Sequence, residues 1–340
     1  MTNSTKKINR FDSFTRLRSV ILGDINWSLC DIIEDPVRKN YTQEMLADLS
    51  ETFQHFEKIL RSFDIHIDRP KIIPYDKNKT YVTPYFDVAG IKSPVTPSDS
   101  FLCLANTVVE VPSVQESSFF DYVQYKHIWQ EYFDNGSQWI SAPRPMYHPD
   151  QYDNEEYYLE WAEPLFDGPC VEPIGNVAFH SESFTLNKRA RMWLERTFPE
   201  FQFIEVNTAQ SHLDGYFRVL RPGLLLSAIP KNKLPDHFAK WDVIHAEKMN
   251  YTPPEIVSEF LQDDDYENTT LEVNGLSIDE DNFVFMKHQI DYHPKMVKQI
   301  ESYGINVIPL PFDSSRFLNQ GINCIVNTTC RDGKLENYFT

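Results

Sequence analysis

The sequence predicts an α/β fold in which one helix-then-strand module is repeated along the chain. Segments with apolar residues at the three-to-four spacing of an amphipathic helix recur, and a short apolar strand follows each of them within a few residues. No Gly/Ser-rich linker divides the 340 residues. These observations favour a single domain, residues 1–340, over two unrelated domains. A generic α/β protein with one sheet is the alternative.

The first unit has the clearest pattern, because residues 42–63 are periodically apolar and the strand 64–70 follows at once. The other four units are a helix near 117–134 before the strand 138–143, a helix near 187–198 before the strand 201–206, a short helix and a strand within 237–246, and a helix at 292–304 before the strand 305–311. The intervals between these strands are irregular. The repeat is therefore one of topology and not of sequence.

The charge balance is acidic, with 50 Asp and Glu against 32 Lys and Arg and a formal charge of −18 at pH 7. Such a surface repels phosphate backbones and anionic lipid, so we expect neither nucleic acid nor membrane as a partner. No apolar run has the length of a signal-peptide core or a membrane span. The expectation is a soluble cytoplasmic protein. Five cysteines without a CxxC pair indicate free thiols in a reducing compartment.

Two of the cysteines differ in context. Cys103 lies inside the apolar stretch 101–111, which reads as a strand, and is expected to be a core thiol. Cys324 follows Gly321 and Asn323 and precedes a polar tail, so we expect it on or just after a short strand that reaches the surface. From the residues alone, both a nucleophile and a simply buried thiol remain open for Cys324.

Candidate acid, base and ligand residues lie in three other segments. His212 and Asp214 are two apart in the stretch 207–217, and in an extended chain that spacing directs both side chains to one face. They can act as a base and a cation anchor, or belong to a solvated loop. Asp99 and Asp167 are each flanked by apolar and Pro residues, which is typical of partial burial or of turn formation.

Taken together, these segments resemble the amidinotransferases related to glycine amidinotransferase, of the guanidino-group modifying superfamily. The stretches that carry the resemblance are 97–125, 163–169, 211–227 and 321–340, and they occur in the same order as in that family. The resemblance implies a pentein-like fold, a five-bladed β/α propeller with a pseudo-fivefold repeat of ββαβ-type units.

The resemblance also implies a role for each matching residue. Cys324 corresponds to the nucleophile, His212 to the general acid/base, and Asp167 to the carboxylate that orients His212. Asp99 and Asp214 correspond to the ligands of the substrate guanidinium. A thiol has a pKa of about 8.5, and a neighbouring cation lowers it, so His212 and the substrate are expected to favour the thiolate.

The implied activity is transfer of the amidino group from a guanidino donor to an amine acceptor through a covalent amidino-cysteine. The expected donor is L-arginine, which would leave as ornithine, and the setting is specialised metabolism. Sulfur supplies the covalent step, so no metal or organic cofactor is expected. The partners are therefore small molecules, with a homodimer as the expected assembly. A deiminase-like hydrolase and a catalytically silent protein that binds guanidino metabolites are the alternatives.

Three departures from the family concern the substrate pocket. Lys231 lies where relatives place an arginine that holds the carboxylate of the donor, and Lys cannot make the same two-pronged contact. Cys170 falls where close relatives carry a second acid, and the run 265–273 replaces a serine-containing run. The donor is therefore less secure than the type of reaction.

Overall fold

The computed structural model describes residues 6–76, 78–84, 86–146, 162–183, 185–208, 212–248, 271–315 and 320–339. The strands in this part of the chain, labelled β1 to β17 in order, are Leu17–Leu22, His66–Asp68, Tyr81–Val82, Asp87–Val88, Phe101–Leu104, Thr107–Glu110, Gln138–Ser141, Val171–Ile174, Val177–His180, Gln202–Glu205, Phe217–Arg221, Leu224–Ser227, Asp242–His245, Leu276–Asp279, Asn282–Met286, Asn306–Leu310 and Val326–Arg331. The α-helices, labelled α1 to α7, are Pro36–Ser62, Pro97–Ser100, Lys126–Asp134, Lys188–Thr197, Lys287–Tyr292, Pro294–Ser302 and Ile322–Ile325.

Five three-stranded sheets share one topology within the described residues. Their strand orders are β5-β6-β7, β8-β9-β10, β11-β12-β13, β14-β15-β16 and β17-β1-β2. In each sheet the first two strands are antiparallel and the third is parallel to the second. The strands β3 and β4 form a separate two-stranded pair. The α/β class with a repeated module is thereby confirmed.

A helix or helical turn leads into the third strand of each sheet, as the sequence periodicity predicts. The helices are α1 before β2, α3 before β7, α4 before β10 and α6 before β16, and a 3-10 turn at Asp236–Phe238 precedes β13. Helix α1 begins after Asp35, whose side chain accepts a hydrogen bond from Arg38 N at 2.8 Å, and Pro36 occupies its first turn.

The hydrophobic core consists of clusters that join neighbouring sheets. The pairs that share a cluster are Val20 with Val284, Ile21 with Val108, Val109 with Ala178, Phe179 with Val219, and Leu226 with Phe285. The buried face of α1, including Leu49 and Phe56, packs in the first of these clusters. Each sheet therefore shares apolar contacts with two others.

One expectation about the strands is wrong. The stretch 101–111 does not form one strand, because the chain reverses after β5 and returns as β6, with Ala105 in the left-handed region at φ 53°. Cys103 is fully buried within this hairpin, as expected, and burial raises the pKa of its thiol to about 12. All five cysteines are free and buried.

The last strand of the chain pairs with the first. Leu22 lies opposite Val326, and Leu17 lies opposite Arg331, in the antiparallel pairing of β17 with β1. The C-terminal segment is consequently an internal part of the fold. Among the described helices, none combines the length and the apolar character that crossing a membrane requires.

Two hairpin glycines allow a matched test of this packing. Gly175 and Gly223 both have positive φ, 67° and 82°, but a Cβ on Gly175 would lie 1.9 Å from the Glu336 carbonyl oxygen, whereas one on Gly223 meets nothing within 4 Å. Gly223→Ala should cost about 1 kcal/mol from backbone strain alone. Gly175→Ala should cost about 2–4 kcal/mol because the C-terminal segment must also move.

The measurement is the free energy of unfolding in urea. Equal losses in the two variants would contradict the close contact between the Gly175 hairpin and the C-terminal segment.

Candidate active site

The candidate site is built from the turns that precede the first strands of the five sheets. Each turn carries a polar side chain two to four residues ahead of its strand. In the sheet order given above, these are Asp99, Asp167, Asp214, Asn274 and Cys324. His212 adds an imidazole at the start of the turn that carries Asp214. The site thus takes one residue or more from each repeat of the fold.

Close backbone contacts bring three of these turns together. Ser98 Oγ donates a hydrogen bond to the Cys324 carbonyl oxygen at 3.0 Å. A Cβ on Gly168 would lie 2.3 Å from the Ser98 carbonyl oxygen and 2.5 Å from that of Phe101, so only glycine fits this approach. The turn that carries Asp167 can therefore reach the turn that carries Asp99.

His212 lies between two carboxylates. Its Nε2 is 3.3 Å from Asp167 Oδ2, and its Nδ1 is 4.0 Å from Asp99 Oδ1. Burial alone would lower the pKa of His212, but the hydrogen bond with Asp167 and the charges of Asp99 and Asp214 raise it to about 9. The imidazole is consequently protonated at neutral pH.

The acidic groups carry more charge than this imidazolium can balance. Burial, together with repulsion from Asp167 and Asp214, raises the pKa of Asp99 to about 6. Burial likewise raises the pKa of Asp214. Three acidic side chains, Asp99, Asp167 and Asp214, thus lie around one imidazole, an arrangement that a further cation would stabilise.

Asn274 connects the thiol to this acidic cluster. Its Nδ2 donates to Asp214 Oδ2 at 3.1 Å and lies 4.0 Å from Cys324 Sγ, while its Oδ1 accepts from Asn323 N at 2.8 Å. A Cβ on Gly321 would lie 2.3 Å from Asn274 Oδ1, so this approach also requires glycine. Sequence reasoning missed Asn274 as a site residue; its position ahead of the fourth sheet is the signal that could have found it.

The environment of Cys324 corrects two expectations. The residue lies in the helical turn α7 ahead of β17, and not on or after a strand. Burial, followed by the charges of Asp214 and Asp99, raises the pKa of the thiol well above its usual value, although Gly321 N donates to Sγ at 3.3 Å. The largest contributions to the pKa of Cys324 do not include His212, so the expected lowering of this pKa by the imidazole is not observed.

The expected extended conformation at His212 and Asp214 is also wrong, because Asp214 lies in a 3-10 turn, Leu213–Gly215, that begins after His212. Both side chains nevertheless belong to the same cluster, since the charge of Asp214 contributes to the raised pKa of His212.

A cavity of about 530 Å³ adjoins the cluster. Its charged lining residues are Asp99, Asp167, His212, Lys92, Asp121 and Arg144. Cys324, which is 8% exposed, and Asp214 do not line it directly. Asp99 links the two regions, because its carboxylate lines the cavity and its charge acts on the pKa of Cys324 as well as that of His212.

The structure does not bring Lys231 to the other five residues that the sequence suggested. Its Nζ donates to the Trp241 carbonyl oxygen at 2.7 Å, and Lys231 does not line the cavity. Arg144 does line it, with Nη2 3.0 Å from Glu110 Oε2 and the guanidinium 4.0 Å from the centre of the Tyr122 ring. Sequence reasoning missed Arg144 because no motif surrounds it.

The other two departures from the family give little to the pocket. Cys170 is fully buried and its Sγ donates to the Thr185 carbonyl oxygen at 2.9 Å. Of the run 265–273, residues 265–270 lie outside the described part of the chain.

Within the described residues, no group of three or more His, Cys, Asp or Glu side chains could hold a metal ion.

Comparison with known proteins identifies similar enzymes. The chain is 27% identical over 294 residues to inosamine-phosphate amidinotransferase 1 of Streptomyces griseus, covering 84% of this chain and 81% of that protein. It is 26% identical over 330 residues to the mitochondrial glycine amidinotransferase of Gallus gallus, covering 88% and 72%. No protein-family profile matches the chain. The relationship to amidinotransferases, enzymes that transfer amidino groups, is thereby confirmed.

The solved structures agree at the level of the fold. SxtG, an amidinotransferase from Microseira wollei in the saxitoxin biosynthetic pathway, has a TM-score of 0.81 at 24% identity and covers 98% of this chain and 99% of its own. A DDAH from Pseudomonas aeruginosa, whose structure contains citrulline, has a TM-score of 0.60 at 14% identity, with coverages of 92% and 98%.

The pairing of His212 with Asp167 yields a test by titration. Asp167→Asn removes the negative charge that pairs with His212 and weakens their hydrogen bond. The pKa of His212 should therefore fall from about 9 by about 1–3 pH units. The His212 ring protons, followed by NMR as a function of pH, report the change.

Asp121→Asn is the matched control, because Asp121 lines the same cavity but its Oδ1 accepts from Lys92 N. This variant should leave the titration of His212 near pH 9. A pKa of His212 that stays near 9 in Asp167→Asn would contradict the pairing.

Proposed function

We propose that the protein is an amidinotransferase that moves the amidino group of L-arginine to an amine through a covalent intermediate on Cys324. The relatives support the type of reaction. The observation that carries the site assignment is the cluster of three acidic side chains, Asp99, Asp167 and Asp214, around His212 and Cys324. Such a cluster suits a substrate that is itself a permanent cation.

The donor guanidinium would bind between the carboxylates of Asp99 and Asp214. A guanidinium stays protonated at physiological pH, since its pKa is above about 12, and its planar N–H groups match carboxylate oxygens. Asp214 is buried and Asp99 is half-buried, and partial removal from water strengthens their attraction for a cation. A bound guanidinium neutralises these carboxylates and so removes the repulsion between them, which destabilises the site without substrate.

The bound donor would also activate the nucleophile. The charges of Asp214 and Asp99 raise the pKa of the Cys324 thiol, so a guanidinium that neutralises them lowers it. Cys324 then loses its proton to solvent when the substrate is present, because His212 is already protonated. This order protects the thiol from other electrophiles.

Proton and bond changes balance with the groups present. The Cys324 thiolate attacks the guanidino carbon, and a C–S bond forms. Protonated His212 gives its proton to the departing nitrogen as the C–N bond breaks, which releases ornithine and leaves a cationic amidino-thioether. The acceptor amine then attacks that carbon, His212 takes its proton, and the C–S bond breaks to restore the thiolate.

Opposite charges elsewhere in the cavity suit the amino-acid end of arginine. Arg144 and Lys92 can attract a carboxylate, and Asp121 can attract an ammonium group. Burial raises the pKa of Asp121 to about 6, so its carboxylate is ionised at neutral pH. Arg144 therefore takes the role that the sequence suggested for Lys231.

A five-bladed propeller is the proposed arrangement of the sheets. Three features support it: all five sheets have the same strand order, apolar clusters join each sheet to two others, and the turns ahead of the five first strands supply the candidate site. The site would then lie where the five blades meet.

Two other functions use the same residues. In a deiminase-like hydrolase, water would attack the intermediate and citrulline would form. A catalytically silent protein would bind guanidino metabolites without reacting. The complete set of acid, base and thiol groups favours catalysis, and the names of the relatives favour transfer. The homodimer and the cytoplasmic location stay predictions.

The covalent step can be tested on the intact protein. L-Arginine without an acceptor should add one amidino group to Cys324, as intact-protein and peptide mass spectrometry can detect. Cys324→Ala should show no adduct and no turnover, whereas Cys330→Ala, on the adjoining strand β17, should retain both.

Product analysis with a panel of amines separates the alternatives. Ornithine that appears only with an acceptor supports transfer, and citrulline indicates hydrolysis. Turnover that survives in Cys324→Ala would overturn the assignment of the nucleophile.

Recognition of the donor carboxylate can be tested separately. Arg144→Gln should raise the KM for arginine about tenfold or more, because a charged hydrogen bond contributes about 1.5–3 kcal/mol. Agmatine, which lacks the carboxylate, should be affected much less. Lys231→Gln is the control and should change the KM for arginine less than about twofold. The reverse ranking of these two variants would restore Lys231 to the site.

A further inference from the structure

A second, smaller cavity of about 30 Å³ continues from the candidate site into the strands. The first strand of every three-stranded sheet lines it, through Phe101, Glu172, Arg218, Leu276 and Val326. Asp214, Ser98 and Gly168 of the site turns line it as well. A water molecule needs about 10–15 Å³ of such space, so the cavity holds one or two particles of solvent size. It is too small for an amino acid.

Three arginines dominate its polar lining. Arg218 and Arg331 are only 3% and 1% exposed, and the third is Arg10. Among the described residues, four buried guanidinium nitrogens of these arginines have no hydrogen-bond partner. They are Arg10 Nε, Arg218 Nε, Arg218 Nη2 and Arg331 Nε. Buried N–H donors without partners are costly, so this concentration of them indicates a ligand that accepts hydrogen bonds.

Other nitrogens of the three arginines have hydrogen-bond partners. Glu172 accepts from Arg10 at 3.0 Å and from Arg218 at 3.1 Å. Arg331 donates through both Nη atoms to the carbonyl oxygens of Thr15 and Ser277. These contacts fix the guanidinium groups around the cavity. Their unpartnered N–H groups are therefore held in place.

The donors favour an anion over water. Three guanidinium groups meet three acids, because Asp12 and Glu172 act on Arg331 and Asp214 lines the cavity. Burial, with repulsion from Arg10 and Arg218, lowers the pKa of Arg331 to about 10. The unpartnered lining atoms include one amide acceptor, Asn327 Oδ1, and the Ser13 hydroxyl, so donors outnumber acceptors.

We propose that this cavity binds a small monovalent inorganic anion of halide size, held by N–H groups of Arg10, Arg218 and Arg331. The site is distinct from the substrate cavity, whose charged lining residues do not include these arginines. The two adjoin at Asp214, whose carboxylate lines the smaller cavity and whose pKa Arg218 lowers. An anion beside Arg218 would weaken this effect and therefore raise the pKa of Asp214.

Crystallography with bromide tests the proposal on the wild-type chain and needs no activity. Protein prepared in sodium gluconate and crystallised with sodium bromide should give an anomalous peak inside the cavity, between Arg218 and Arg331. Anomalous peaks at surface positions alone, or density for water in the cavity without an anomalous signal, would overturn the proposal.

A stability titration gives a second readout in solution. At constant ionic strength, replacing gluconate by bromide should raise Tm by about 2–4 °C in a saturable manner. Arg218→Met should abolish this rise, whereas Arg18→Met, which removes an exposed arginine paired with Asp332, should retain it.

A rise in Tm that is linear in bromide, or that persists in Arg218→Met, would contradict specific binding. If Arg218→Met does not fold, the anomalous signal in the wild-type crystals decides. The anomalous peak and the amidino adduct on Cys324 are measured independently of each other, so failure of this proposal and failure of the proposed function are distinguishable.

Discussion

The antiparallel pairing of β17 with β1 is the constraint on which the site depends. It carries the C-terminal segment into the interior of the fold, where Cys324 precedes the last strand as Asp99, Asp167 and Asp214 precede the first strands of other sheets. The hydrogen bond from Ser98 Oγ to the Cys324 carbonyl oxygen then fixes one turn against another. Residues separated by more than two hundred positions thereby become neighbours.

The acidic side chains that this arrangement brings together make folding less favourable. Burial raises the pKa of Asp99 and Asp214, which means that each carboxylate would be more stable in water. His212 offsets part of this repulsion, and the hydrogen bond from Asn274 to Asp214 offsets a further part. Such a cluster persists only where the surrounding packing is strong, and it gives the site an affinity for cations that a neutral pocket would lack.

The sequence predicted the helix-then-strand units because amphipathic periodicity is a local property, and residues 42–63 display it over six turns. It did not predict the hairpin at Ala105, because the stretch 101–111 is mostly apolar and contains neither Gly nor Pro, although Asn106 and Thr107 interrupt it. The 3-10 turn after His212 was missed for a similar reason. The separation of His212 and Asp214 by two positions does not distinguish an extended backbone from a helical one.

The convergence of the site residues lay beyond local reasoning altogether. Asp99 and Cys324 could be related only through resemblance to a family, because nothing in their own segments indicates a distant partner. Asn274 and Arg144 belong to no short motif, and their positions follow from packing between sheets and not from neighbouring residues.

The pairing of β17 with β1 also bears on how the protein is made. During translation β17 leaves the ribosome after every other described strand. The edge of β1 that pairs with β17 therefore has no partner until then. Contacts of such long sequence separation form slowly. A nascent chain that still lacks residues 321–331 already contains four of the five polar turns but not Cys324, so the acidic cluster acquires its thiol only when this last segment has been made.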